Sequence, residues 1–159
     1  MAPVGCCAIE RVEIAAKTDM KTVSFEELPG LAGQEIGVSD WLVIDQALVD
    51  AFSELMELPS SKTIAQDHLK LLLTMLAEKI LQITDASRCI NQGFSKVRFI
   101  ASVQVGSRIR VRQFLMSAKK SGSKEDCLLL NNRMTVEVEG WDGNPCIAET
   151  LTLVYGTVS

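Results

Sequence analysis

The chain is expected to fold as one α+β unit, a long helix cradled by a curved antiparallel sheet. Two observations carry that expectation. From Ile64 to Ile83 the apolar side chains Leu69, Leu71, Leu72, Leu73, Met75, Leu76, Ala77 and Ile80 leave only a narrow polar strip through Lys70, Thr74 and Glu78. A helix that is apolar almost all round needs cover almost all round. The second observation is that the rest of the chain is strand-like. Arg108 to Arg112 and Met134 to Glu139 alternate strictly, as half-exposed antiparallel strands do. A length of 159 residues suits a single domain with a real core.

Taken in order, residues 1–22 show no clear period and read as an N-terminal arm before a domain spanning 23–159. Within the arm, Arg11 to Ile14 alternates as an added edge strand would. Ser24 with Glu27 three residues on forms a capping box for a short helical turn, which Pro29-Gly30 and Gly33 should end. Ile36 to Ile44 is a strand candidate. Asp45 is a good N-cap for a helix from Gln46 to about Leu58, with Leu48, Phe52, Leu55 and Met56 at helical spacing and Pro59-Ser60-Ser61 as its stop. The long apolar helix follows. Strands are then expected over Lys96–Ile100, Ser107–Ser117, Leu128–Glu139 and Cys146–Gly156. Lys119–Asp126 reads as a polar hairpin loop and Trp141–Pro145 as a tight turn.

Composition narrows the function. A net charge of −4 argues against a general nucleic-acid binder, which needs a basic surface. No apolar run approaches the ~20 residues of a membrane span, and the first eight residues lack the basic start and apolar core of a signal peptide. The five cysteines fit neither a zinc site nor a disulfide framework. They read as free thiols of a reducing cytoplasm, those with apolar neighbours lying in the core. Trp41 and Trp141 read as packing or turn residues.

Several short pieces resemble one family. Phe25-Glu26-Glu27-Leu28, with Gly33 to Gly37 and Ser39-Asp40-Trp41, is similar to the opening of MaoC-like, NodN-type acyl dehydratases. Thr63-Ile64-Ala65 resembles the lead-in to their central helix. Lys96 to Phe99, followed by Val105 to Arg108, resembles the strand pair after it. The order and spacing of these pieces carry the resemblance over roughly residues 24 to 156. It implies a hot-dog fold, a homodimer, and an acyl-CoA or acyl-carrier-protein thioester bound at the dimer interface, with no cofactor. It also implies a hydro-lyase in which an Asp and a His activate water, and in which a His-Gly pair at the start of the central helix presents donors to the thioester oxygen.

Against that pattern the chain departs in a definite way. Only Ser53 to Lys62 lie between Phe52 and Thr63, and they contain no Asp and no His; Glu54 and Glu57 are their only carboxylates. Gln66 stands where the His of the His-Gly pair would be, and Asp67 where the Gly would be. An aspartate there brings a side chain and a negative charge next to the expected thioester, and both oppose an oxyanion. The frame of a hydratase is therefore expected without its catalytic pair. The alternatives are a non-catalytic thioester-binding or assembly protein, and a thioesterase using Asp67 as base or nucleophile.

His68 is the only histidine. It could be a displaced general base; the simpler reading is a helix-start side chain with a local partner. For Asp67 the simpler reading, a first-turn acid favoured by the helix dipole, outweighs the catalytic one, though Asp67 is the residue to choose if the protein is a hydrolase. Arg108 and Arg110 share a strand face with Arg112. They could hold the phosphates of CoA, with Arg98 and Lys96 as equal candidates. The simpler reading is a solvated strand face.

Overall fold

The computed structural model describes residues 4–5, 20–122 and 126–157. Arg11–Ile14, Cys6 and Cys7 lie outside them. Strands β1 (Val4–Gly5) and β2 (Lys21–Val23) come first, followed by a 3₁₀ turn at Leu28–Leu31. Next are β3 (Gln34–Val38), β4 (Leu42–Val43), α1 (Gln46–Leu55), α2 (Gln66–Ala77) and β5 (Leu81–Ile83). Four long strands complete the order: β6 (Ala86–Phe99), β7 (Arg108–Lys120), β8 (Cys127–Val138) and β9 (Trp141–Gly156). The main sheet runs β3-β7-β8-β9-β6, with β4 also on β7. Its long neighbours are all antiparallel. A small second sheet places β5 between β1 and β2. This is the expected α+β hot-dog arrangement, and α2 packs against β7 and β8.

The alternation read in the sequence selects the two faces. On β7, Ile109, Val111, Gln113 and Leu115 point inward, and Arg108, Arg110 and Arg112 outward. On β8, Leu128, Leu130, Asn132, Met134 and Val136 are buried in the same phase. The helix supplies Leu69, Leu72, Leu73, Met75 and Leu76 to this core.

Several expectations are corrected. The central helix is shorter than 64–83. Thr63 to Ala65 is extended, and Lys79 and Ile80 close the C-terminal end by bonding back to Leu76 and Ala77. Leu81–Ile83 then leaves as β5. Nor is the helix covered all round: Asp67 and Leu71 face solvent, so burial is confined to one broad side. Helix α1 stops at Leu55. Leu58 N–H bonds to Ser53 O at 2.8 Å and Glu57 N–H to Glu54 O at 3.3 Å, with Glu57 in the left-handed region at φ +55°. That is a Schellman stop, and it leaves Leu55, Met56 and Leu58 exposed rather than packed.

The remaining differences are local. Ser24 N–H reaches the Glu27 carboxylate at 2.7 Å as the capping box requires, but the 3₁₀ turn runs through Pro29-Gly30 rather than ending there. The single strand expected over 36–44 is two, β3 and β4. Strand β6 begins ten residues before Lys96. Its ladder slips between Asn91 and Gly93, where Gly93 sits at φ +107° and takes a 2.8 Å bond from its N–H to the Asn91 side chain. The β8–β9 turn is Glu139-Gly140, with Gly140 at φ +81°. Gly143, expected in that turn, lies in β9 instead. The Trp141 ring passes so close that a Cβ at Gly143 would stand 2.2 Å from it. Cys127 and Cys146 are buried free thiols, and Cys89 is half-buried. Burial pushes the Cys146 thiol up to about 11. No helix among the described residues is long and apolar enough to cross a membrane.

Candidate functional site

The lead-in to α2 is held by backbone. Ile64 N–H donates to Val103 O and Val105 N–H to Lys62 O, each at 2.8 Å, and Thr63 bridges Gln104. These bonds set the start of α2 beside the segment after β6. Between them lies a pocket of about 170 Å³, lined by Ile64, Gln66, Leu69 and residues 99–103. Ala65, the N-cap, makes no side-chain capping bond. The first N–H groups of α2 therefore keep the partial positive charge of an uncapped helix start.

The residues singled out in the sequence do not converge here. Gln66 lines the pocket. Asp67 does not: its side chain is 78% exposed, with Lys70 at 3.9 Å as its ion-pair partner. His68 is 4% exposed and turns towards α1, where its ring stacks on Phe52 with centroids 4.2 Å apart and planes 4° from parallel. Its Nδ1 is buried without a hydrogen-bond partner among the described residues, so the local polar partner expected for it is replaced by an aromatic face. None of the ion pairs among those residues involves His68.

Burial lowers the His68 pKa. The unfolded chain then binds a proton near pH ~6.5 that the folded chain refuses, so stability falls as pH drops below that value. His68→Leu removes both the titration and the unpaired nitrogen. It is expected to match the parent within about 1 kcal/mol at pH 7.5 and to melt higher than the parent at pH 5. Thermal melts at both values check this; a mutant equally sensitive to acid would place the titration elsewhere.

The arginines are already engaged. Arg108 meets Glu139 at 3.0 Å and Arg110 meets Glu137 at 2.6 Å. Arg112 donates to Glu137 at 2.7 Å and also to Glu35. Trp41 lies under Arg110, 4.4 Å from the ring centroid, and more loosely under Arg108. A phosphate would have to displace carboxylates from all three. Arg98 and Lys96 are exposed on β6 and make no ion pair among the described residues.

A second cavity, missed in the sequence, lies further along α2. It holds about 60 Å³ between Leu73, Thr74, Ala77 and Glu78 of the helix side and Gln113, Asn132, Thr150 and Thr152 of the sheet. Its signal was available: Gln113 and Asn132 occupy inward phases of strands whose other inward residues are apolar.

The match of structures is broad. The MaoC-like dehydratase of Rhodospirillum rubrum superposes with a TM-score of 0.68, covering 80% of this chain and 94% of its own at 12% identity, a likeness of fold alone. In sequence the chain is 32% identical over 143 residues to 3-hydroxyacyl-thioester dehydratase Z of Mycobacterium tuberculosis, covering 80% of this chain and 93% of the relative. The chain belongs to the MaoC-like dehydratase family. Nodulation protein N of Rhizobium leguminosarum, 28% identical over 152 residues, covers 85% of this MaoC-like chain and 93% of itself. No family model matches this chain.

Proposed function

We propose that this MaoC-like protein binds acyl thioesters in the pocket beside Gln66 and does not hydrate or dehydrate them. One observation carries the reading: the sole histidine is packed against Phe52, with no carboxylate paired to it among the described residues. Hydration needs a base and an acid within hydrogen-bond reach of one water. The connection over 53–62 offers neither Asp nor His. The thioester class is taken from the M. tuberculosis relative's name. Its support in this chain is the uncapped start of α2 opening beside a pocket, where an oxyanion or carbonyl oxygen is favoured. Asp67 as the base of a thioesterase has weaker support, because its side chain lies in solvent beside Lys70. A homodimer joined along β6, an edge strand of the main sheet, would bring a second copy beside this domain.

The test joins binding to turnover. Calorimetry is expected to show hexanoyl-CoA binding more tightly than CoA alone. Crotonyl-CoA is expected to be hydrated no faster than in buffer, since general acid–base assistance alone supplies ~10²–10⁴-fold. Turnover on the order of 10 per second would overturn the non-catalytic reading. Equal affinity for CoA and its thioester would overturn the binding reading.

A further inference from the structure

The cavity beneath the C-terminal half of α2 has one end that is chemically unfinished. Gln113 is 4% exposed, and its Nε2 donates to Asn132 Oδ1 at 2.9 Å. With Nε2 so engaged, Oε1 is an acceptor with no partner among the described residues. Glu78, on the facing helix end, has a buried Oε1 in the same condition. Both residues line the same cavity. Buried polar atoms are nearly always paired, and an unpaired one costs roughly 1–3 kcal/mol. Two unpaired acceptors on facing walls of one cavity point to a group that belongs between them.

We propose that this cavity binds the hydroxyl-bearing end of an aliphatic chain, with Gln113 and Glu78 as the residues that recognise the hydroxyl. Leu73, Ala77, Leu81, Leu130 and Met134 supply an apolar wall for the chain. A hydroxyl brings one donor and two lone pairs. It donates to Gln113 Oε1 and accepts from Glu78 when that carboxyl carries its proton. Burial pushes Glu78 up to about 7, so the protonated form is well populated near neutral pH. The desolvation behind that shift disfavours a lone charge in the cavity. The ligand need not be a thioester, so the site can stand or fall apart from the pocket beside Gln66.

Two isomeric probes test the site on the intact protein. 1-Hexanol and 1-methoxypentane have the same composition, but only the alcohol donates a hydrogen bond. NMR titration is expected to give 1-hexanol about tenfold the affinity of the ether, a difference of about 1.4 kcal/mol, with the methyl signals of Met134 and Leu130 moving. Gln113→Met keeps the volume and removes the acceptor; it should bring the two probes to near parity. The parent's alcohol-to-ether ratio needs no variant, so a Gln113→Met protein that fails to fold leaves the test intact. Equal binding of the two isomers overturns the proposal, as does failure of either to bind, which would mean that the cavity holds only water. Tighter binding of hexylammonium than of 1-hexanol would overturn it too, by making the site a cation site.

Discussion

Leu76→Ala is expected to lower the unfolding free energy by about 3–5 kcal/mol. Leu76 is 1% exposed on α2, which packs against β7 and β8 of the main sheet. Truncation there removes buried methyl groups and leaves a void beside β7 and β8. Leu71→Ala, five residues earlier and on the open side, is expected to cost less than about 1 kcal/mol, because Leu71 is 39% exposed. Urea unfolding of the two variants with unchanged slopes measures the contrast. Similar losses from both would mean that α2 is covered on both sides.

The next largest loss is expected from Glu137→Ala, about 2 kcal/mol, more than the ~0.2–1 kcal/mol of an ordinary surface pair. Glu137 receives Arg110 at 2.6 Å and Arg112 at 2.7 Å, and without it two guanidinium groups face each other. The hydrogen bond from Arg112 is the main reason why the Glu137 carboxyl sits below its ordinary range. A depressed folded-state pKa contributes stability that is present above the unfolded value, near ~4.3, and fades as pH falls through the folded one. The gap between parent and mutant should therefore be full at pH 7 and smaller at pH 3. A gap of the same size at both values would assign the loss to packing instead.

Alternation made β7 and β8 legible, because each has one buried face and its side chains repeat every two residues. The same rule failed on β6, where most of Ala86–Phe99 is exposed along a sheet edge and the Gly93 bulge breaks the phase, so only its end stood out. Leu81–Ile83 was read as helix because a short apolar run suits either state, and only its pairing with β1 and β2 decides. For the site, the lack of Asp and His over 53–62 was plain in the sequence. The stacking of His68 on Phe52, sixteen residues away, was not, since it depends on how α1 crosses the start of α2. Nor were the carboxylates on the arginines: Glu137 and Glu139 reach them only through the β7–β8 register.

The outer face of that register has a consequence at long range. Arg108, Arg110 and Arg112 are matched by Glu35, Glu137 and Glu139, three positive charges against three negative ones within contact distance. Seen from beyond a Debye length of ~8 Å, the patch is electrically silent. The whole net charge of −4 comes from the rest of the chain. An anionic visitor thus meets a weakly repelling body, with no beacon on the face where these three arginines cluster. Added salt should speed its arrival, the reverse of what a cationic docking surface would do.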